Sequence, residues 1–316
     1  MQPHQPTLKV HIAKNAGTCF GVEAAIEIAE KVRQPILGPL VHNPKIVSDL
    51  ARQGIEILDR YPDVADIDLK EVVITAHGYP KPVKDALREK GVIFHDATCP
   101  VLLKWVYRKI EKFNVEGFKI ILVGNPNHAE IIASRSYGTD IHVVYSCEEA
   151  DKLPDDLGKV VAICQTTITR EKFDRIVNHI RATKYPELRA VDTRCKPVKN
   201  QQTGVDELAQ IVDCMLIVGG FNSSNTTSLA NIAKQYLPTK TFHIDGPNLI
   251  REEWFAGIKS LGIGAGTSTP KLQIQEVIER VISLFPGEVV LPQSWDIGPT
   301  SAAELKDLSA DASEEI

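Results

Sequence analysis

Short apolar runs alternate with amphipathic segments along the chain, and the alternation recurs in three successive passes. The apolar runs are rich in Val, Ile and Leu, which is typical of buried parallel strands, whereas the other segments repeat apolar residues at helical spacing. This pattern predicts an α/β protein of three pseudo-equivalent α/β domains, each a parallel sheet covered by helices. Predicted strands cover 8–12, 35–41, 55–58, 72–75, 92–94, 119–123, 141–144, 160–163, 188–191, 215–218, 241–244 and 261–263. Predicted helices cover about 23–32, 45–53, 81–89, 101–110 and 170–181. Further helices are predicted after Glu130 and after Cys195, and two more run through Ala233 and to about Leu284.

Each pass begins at a cysteine that lies between a predicted strand and a predicted helix. These residues are Cys19, Cys99 and Cys195. Backbone N–H groups and the helix dipole at such a turn favour a thiolate. The division predicts domains at 22–98, 99–194 and 195–290, while 1–21 supplies a strand and Cys19 to the third domain and 291–316 forms an acidic tail.

Composition and charge narrow the class of protein. The chain has 316 residues, 43% hydrophobic and 24% charged, as expected of a globular protein with two or three small domains. A net charge of −5 without a basic run disfavours a nucleic-acid partner. No apolar run approaches the roughly 20 residues of a membrane-spanning helix, and residues 1–7 lack the apolar core of a signal peptide. We therefore expect a cytoplasmic protein with reduced thiols, so its six cysteines are candidates for metal binding or catalysis.

Polar side chains follow the predicted strands of every pass, where parallel sheets bind their ligands. A threefold arrangement would gather them and the three thiolates in one central cavity. These side chains are His42 and His77 in the first pass, His128, Glu130, Thr166 and Thr167 in the second, and Ser223, Ser224, Asn225 and Ser268 in the third.

The chemistry of this set leaves alternatives open. Three thiolates suit zinc or an iron–sulfur cluster, and the hydroxyls, amide and imidazoles suit a phosphate group. Glu130 is the acid placed to donate a proton, whereas the Ser223 motif has an equal interpretation as a helix cap. Without a glycine-rich phosphate loop, nucleotide binding has little support. The remaining cysteines, Cys147, Cys164 and Cys214, are interpreted as small buried hydrophobic residues.

The motifs in this order, over about residues 8–285, resemble the hydroxymethylbutenyl diphosphate reductase family of the non-mevalonate isoprenoid pathway. The matching segments are Cys19-Phe20-Gly21-Val22, Val41-His42-Asn43, Ala76-His77-Gly78, Asp96-Ala97-Thr98-Cys99-Pro100, His128-Ala129-Glu130, Gln165-Thr166-Thr167, Asn222-Ser223-Ser224-Asn225 and Ser268 before Pro270. The resemblance implies a trefoil of three α/β domains around one [4Fe–4S] cluster, whose fourth iron is open to the substrate. Cys19, Cys99 and Cys195 would be its protein ligands.

The resemblance also implies an activity and roles for the polar residues. The reaction would be a two-electron reductive dehydroxylation of an allylic diphosphate that yields isopentenyl and dimethylallyl diphosphate, with electrons from a ferredoxin- or flavodoxin-type protein. His42, His77, Ser223, Ser224, Asn225 and Ser268 would hold the diphosphate. His128, Glu130 and Thr166 would surround the substrate hydroxyl, with Glu130 delivering protons. Thr167 would be a further substrate-binding residue.

Several positions depart from the family pattern. The family has Ala-Thr and then Arg-Gln after the third cysteine, where this chain has Pro197-Val198 and Gln201-Gln202. Thr18, Ala129 and Cys164 replace Phe, Pro and Thr. The departures around Cys195 motivate a second hypothesis, a diverged paralogue that keeps the cluster but reduces another substrate or senses redox state. A zinc-bound scaffold without catalytic activity is the third.

Overall fold

Strands and helices alternate throughout the computed structural model, which describes residues 8–60, 63–285 and 287–292. The strands are β1 (Leu8–Ile12), β2 (Ile36–Leu37), β3 (Ile57–Leu58), β4 (Glu71–Ile74), β5 (Ile93–Asp96), β6 (Lys119–Val123), β7 (Ile141–Val144), β8 (Val160–Cys164), β9 (Arg189–Val191), β10 (Cys214–Val218), β11 (Thr241–Ile244), β12 (Ser260–Ala265) and β13 (Gly287–Val290). The helices are α1 (Phe20–Val32), α2 (Pro44–Arg52), α3 (Lys81–Glu89), α4 (Leu103–Val115), α5 (Ala129–Ser134), α6 (Cys147–Ala150), α7 (Arg170–Thr183), α8 (Lys196–Ala209), α9 (Ser224–Tyr236) and α10 (Lys271–Leu284).

The strands form three sheets that share one strand order. The first sheet runs β3-β2-β4-β5, the second β7-β6-β8-β9, and the third β11-β10-β12-β1 with β13 added at the edge. Every strand pair in these described sheets is parallel. In each sheet the fourth strand, β5, β9 or β1, leads toward one of the three predicted ligand cysteines. The predicted α/β fold with parallel sheets is therefore confirmed.

The chain divides into two compact units. One unit contains the described residues up to Cys19, the segment His42–Ile46 and the described residues from Pro197 onward, and it holds the third sheet. Its strand β1 pairs with β12 on one side and β13 on the other, with Val10 opposite Leu261 and Val289. The other unit contains Phe20–Val41 and Val47–Lys196 and holds the first two sheets. The predicted three-domain boundaries stay a prediction.

Apolar strands form the cores that position the loops. In the third sheet, all five residues of β10 are buried, and β12 carries Gly262 and Gly264 beside it. A Cβ added at Gly262 would lie 2.2 Å from Met215 Sδ, and one at Gly264 would lie 2.7 Å from a Val205 methyl carbon, so glycine leaves room for the neighbouring side chains. In the second sheet, β8 is buried along its whole length, as expected of a central parallel strand.

Several elements differ from the predicted ones, among them the strand after Pro35 and the edge strand β13. The predicted strand 35–41 ends after Leu37, because Gly38 takes the left-handed conformation (φ +95°) and turns the chain away. The edge strand β13 lies within a region predicted to have no strand. The acidic tail lies almost wholly outside the described residues. Among the described helices, none is both long and apolar enough to cross a membrane.

Candidate active site

The three predicted ligand cysteines occupy equivalent positions in their sheets. Each donates its backbone N–H to a carbonyl two residues beyond the end of the neighbouring strand. The pairs are Cys19 to Thr267 (3.0 Å), Cys99 to Ala76 (3.1 Å) and Cys195 to Thr166 (3.0 Å). All three side chains are half-buried. The repeat inferred from sequence thus extends to the hydrogen bonding of each cysteine loop.

Two of these cysteines follow an aspartate that fixes their loop. Asp96 accepts the N–H of Thr98 at 3.1 Å, and Asp192 accepts the N–H of Arg194 at 2.9 Å. Each carboxylate also forms an ion pair. Asp96 pairs with Lys84 Nζ at 3.0 Å, and Asp192 pairs with the Arg194 guanidinium at 2.8 Å. Each aspartate lies three residues before its cysteine. Its hydrogen bond therefore holds the turn that leads to that cysteine in one conformation.

The other cysteines differ in environment. Cys164 and Cys214 are fully buried in β8 and β10, and burial raises the pKa of both thiols to about 12. Both thiols are therefore neutral, which makes them poor metal ligands. Cys147 is half-buried at the start of α6. In the described ranges, no three His, Cys, Asp or Glu side chains form a group that could hold one metal ion.

Glu130 is buried in the first turn of α5 and bound to Thr166. Its Oε1 accepts the backbone N–H of Thr166 at 2.7 Å, and its Oε2 lies 2.7 Å from the Thr166 hydroxyl. Burial raises the pKa of Glu130 to about 7, against the opposing effect of both hydrogen bonds. Near neutral pH the carboxyl group therefore exists in both protonation states, as a proton donor requires.

His128 precedes Glu130 and caps α5. Its Nδ1 accepts the N–H of Glu130 at 3.3 Å, so the ring proton lies on Nε2. Burial, followed by the positive charge of Arg60, lowers the pKa of His128 to about 4. The His77 ring lies edge-on to it, with centroids 5.8 Å apart at 83°. His128 therefore offers a neutral N–H donor beside a second imidazole.

Gln165 joins two loops of the second sheet, the loop after β6 and the loop after β8. The sequence pattern does not predict this role. Its Oε1 accepts the N–H of Asn125 at 3.0 Å, and its Nε2 donates to the Thr167 hydroxyl at 2.9 Å. The Thr167 hydroxyl is thus already engaged in a structural contact. Thr166 links Glu130 to the backbone of Cys195, because its carbonyl accepts the Cys195 N–H.

In the other unit, Ser223, Ser224 and Asn225 form the start of α9. The Ser223 hydroxyl accepts the N–H of Thr226 at 3.3 Å, so the helix-cap interpretation is correct for this residue. Its own O–H remains a donor, and the helix N-terminus favours an anion. Asn225 is buried and donates from Nδ2 to Gln201 Oε1 at 2.8 Å.

His42 and Ser268 lie in loops of the same unit. Asn43 caps α2 by accepting the N–H of Lys45 at 2.9 Å, and it donates to Gln273 of α10 at 2.9 Å. A Cβ on Gly220, in the loop before α9, would lie 2.6 Å from the His42 carbonyl oxygen. Ser268 is buried and follows Thr267, the acceptor for Cys19. This unit thus packs the His42 loop against the loop that precedes Ser223.

The predicted residues divide between the two units. One unit holds Cys99, Cys195, His77, His128, Glu130, Thr166 and Thr167, and the other holds Cys19, His42, Ser223, Ser224, Asn225 and Ser268. These features define a parallel α/β protein of repeated sheets whose loops beyond the strand ends carry a cysteine and neutral hydrogen-bond donors.

Comparison with known sequences identifies the family within this class of protein. The sequence profile of the LytB protein family matches residues 10–282, and the chain belongs to that family. A relative from Nitratiruptor sp., a 4-hydroxy-3-methylbut-2-enyl diphosphate reductase, is 37% identical over 87% of this chain and 98% of its own length. The enzyme of the same name from Geotalea daltonii is 35% identical over 88% of this chain and 98% of its own length.

Solved structures support the fold. The E-1-hydroxy-2-methyl-but-2-enyl-4-diphosphate reductase of Plasmodium falciparum aligns with a TM-score of 0.84 over 97% of this chain and 99% of that one, at 20% identity. A structure of (E)-4-hydroxy-3-methyl-but-2-enyl diphosphate reductase, the terminal enzyme of the non-mevalonate pathway, aligns with a TM-score of 0.61 at 34% identity, over 87% of this chain and 99% of that one.

Proposed function

We propose that this chain is a 4-hydroxy-3-methylbut-2-enyl diphosphate reductase. In the reaction the allylic C–O bond breaks, the hydroxyl oxygen takes a proton and leaves as water, and a C–H bond forms at either end of the allyl system. Two electrons and two protons are consumed, and the products are isopentenyl and dimethylallyl diphosphate. The electrons come from a ferredoxin- or flavodoxin-type protein. Membership in the family and the names of its relatives support the activity.

The Glu130–Thr166 pair is the observation that carries the proposal. A carboxyl group with a pKa raised to about 7 holds a proton at neutral pH, and the Thr166 hydroxyl lies 2.7 Å from it. A proton on Glu130 Oε2 can therefore pass through Thr166 Oγ1 to a leaving hydroxyl. The neutral His128 orients that hydroxyl by donating from Nε2.

The diphosphate is held by neutral donors. Ser223 and Ser224 present hydroxyls at the N-terminus of α9, where the helix dipole favours negative charge. Ser268, His42 and His77 complete the donors assigned from sequence. Asn225 belongs to the same predicted site, but its Nδ2 donates to Gln201. Because none of these side chains carries a permanent charge, binding depends on oriented dipoles and hydrogen bonds.

We infer that the protein binds one [4Fe–4S] cluster through Cys19, Cys99 and Cys195. The fit is supported by three half-buried thiols with matching backbone hydrogen bonds and by the softness of a three-thiolate donor set. When bound, such a cluster supplies the electrons and an iron position for the substrate oxygen. The chain's own residues bind the diphosphate, orient the hydroxyl and deliver the proton.

The test compares Glu130→Gln with wild type under anaerobic conditions. Loss of the proton donor should lower turnover about 100-fold or more while leaving the Kd for substrate and the iron content unchanged. Glu149→Gln is the control and should retain turnover, because Glu149 is a half-buried glutamate in the same unit that accepts the Tyr145 N–H. Near-full turnover in Glu130→Gln would remove Glu130 from the proton path.

The alternative hypothesis, a paralogue acting on another substrate or sensing redox state, makes a different prediction. The wild-type protein would then be brown and intact but would not reduce this diphosphate. A cytoplasmic location is likewise a proposal, which cell fractionation would test.

A further inference from the structure

Gln201 is a buried glutamine in α8 whose amide makes three hydrogen bonds. Its Nε2 donates to the carbonyl oxygens of Asn15 at 2.9 Å and Gly17 at 2.8 Å. Its Oε1 accepts from Asn225 Nδ2 at 2.8 Å. Both amide hydrogens are therefore used on the loop before Cys19, and the oxygen is used on the residue assigned to the diphosphate.

The loop that Gln201 holds has an unusual backbone. Asn15 (φ +60°) and Gly17 (φ +121°) both have positive φ, which glycine adopts freely and asparagine adopts more readily than other side chains. The loop packs along one face of α8. A Cβ added at Gly204, three residues after Gln201, would lie 2.6 Å from the Lys14 carbonyl oxygen. Lys14 Nζ also forms an ion pair with Glu207 at 2.9 Å. Cys19 follows Gly17 by two residues, so its position depends on this contact.

The same amide determines which way Asn225 faces. Because Gln201 must direct Nε2 to two carbonyls, it directs Oε1 to Asn225. Asn225 must then present Nδ2, since the opposite orientation would place two oxygens in contact. Its Oδ1 is left buried and without a hydrogen-bond partner. A buried acceptor of this kind requires a donor from a ligand or a water molecule.

We propose that Gln201 is a positioning residue that seats the Cys19 loop and fixes the amide orientation of Asn225. This inference rests on the proposed function, which makes Cys19 a cluster ligand and Asn225 part of the diphosphate site. Asn225 then offers an acceptor to the ligand side, where it receives a hydrogen bond from a water molecule or a protonated phosphate oxygen.

Two substitutions separate the two roles. Gln201→Glu keeps an oxygen to accept from Asn225 but cannot supply two donors to the loop carbonyls. Gln201→Arg keeps donors for the loop but has no acceptor, so Asn225 must turn and direct Nδ2 to the ligand side. Glu207→Gln is the control, because it touches the same loop only through an exposed ion pair.

The readouts are iron release to a chelator from the anaerobic holoprotein and the Kd for inorganic pyrophosphate. Because Gln201 is buried, salt screens a charge introduced there only weakly, so each Kd is also measured in an Asn225→Ala background, in which an effect of the added charge persists and an effect through Asn225 is lost. Gln201→Glu should release iron about 10-fold faster than wild type, as expected when a partner that orients a ligand is lost. Its pyrophosphate Kd should stay within about 2-fold of wild type. Gln201→Arg should release iron at the wild-type rate and bind pyrophosphate about 3- to 10-fold more tightly, the effect of about one hydrogen bond.

Neither readout requires turnover, so the two hypotheses can fail separately. Circular dichroism checks that each variant is folded. If both variants match wild type, or if both move the same readout in the same way, the positioning role is wrong even when wild type is active. If wild type holds iron but forms no product, the proposed function is wrong, and the contrast between the variants still decides the role of Gln201.

Discussion

The substitution Thr166→Val tests how the proton donor is tuned. It removes the hydroxyl 2.7 Å from Glu130 Oε2 and leaves the Thr166 N–H on Oε1, so one of two hydrogen bonds to the carboxyl group is lost. Hydrogen bonds to a carboxylate favour its charged form. The side-chain bond therefore holds the pKa of Glu130 below the value that burial would otherwise give, and its removal should raise that pKa.

The magnitude follows from the strength of this bond. A hydrogen bond to a charged group contributes about 1.5–3 kcal/mol, and about 1.4 kcal/mol corresponds to one pKa unit. Thr166→Val should therefore raise the pKa of Glu130 from about 7 by about 1–2 units. Because the hydroxyl relay is also lost, turnover should fall about 100-fold.

The assay is the pH dependence of kcat, measured anaerobically with reduced methyl viologen, a donor whose potential does not change with pH. Turnover requires protonated Glu130, so activity should fall as pH rises through its pKa. This decline should move to higher pH in Thr166→Val and return in Thr166→Ser. An infrared titration of the Glu130 carboxyl group, with Glu130→Gln as the blank, gives the same pKa without turnover. A pKa that stays the same or falls in Thr166→Val would refute the reasoning.

Three further predictions concern the ligands, the Cys19 loop and His128. Cys147→Ser and Cys214→Ala should keep the wild-type iron content, whereas serine at Cys19, Cys99 or Cys195 should lower it; iron loss in the first pair would contradict the ligand assignment. Gly204→Ala places a Cβ 2.6 Å from the Lys14 carbonyl and should lower the free energy of unfolding in urea by about 1–3 kcal/mol. Gly246→Ala, where a Cβ meets nothing within 4 Å, should stay within about 0.5 kcal/mol of wild type, and equal effects would remove the crowding argument. Arg60→Gln should raise the pKa of His128 above about 4 in an NMR titration, because a nearby positive charge is removed, and an unchanged pKa would show that burial alone sets it.

Much of the fold could be predicted from local pattern. The strands Leu8–Ile12, Lys119–Val123, Ile141–Val144 and Thr241–Ile244 and the helix Lys81–Glu89 have the predicted bounds, because each is an apolar or amphipathic run between turn residues. The edge strand β13 lacks such a pattern, since its residues are partly exposed and pair only with β1, which lies at the other end of the chain.

The environment of the candidate site could be predicted only in part. Glu130 is recognisable in the sequence as an acid that follows a strand. Its pKa, however, is raised by burial and lowered by two hydrogen bonds from Thr166, which is remote in sequence. From the sequence alone, Gln201 is notable only because it replaces an arginine of the family pattern. Its hydrogen bonds to Asn15, Gly17 and Asn225 depend on the pairing of the N-terminal strand with β12, which joins distant parts of the chain. Contacts between distant segments leave no periodic signal in the sequence.

The most direct test of the central claim is a product analysis of the wild-type protein. Iron-loaded protein is incubated anaerobically with (E)-4-hydroxy-3-methylbut-2-enyl diphosphate and reduced methyl viologen, and the two isopentenyl products and oxidised viologen are quantified. We predict that isopentenyl and dimethylallyl diphosphate both form, with two viologen radicals oxidised for each product molecule. A brown, intact protein that forms neither product would contradict the account and favour the diverged paralogue.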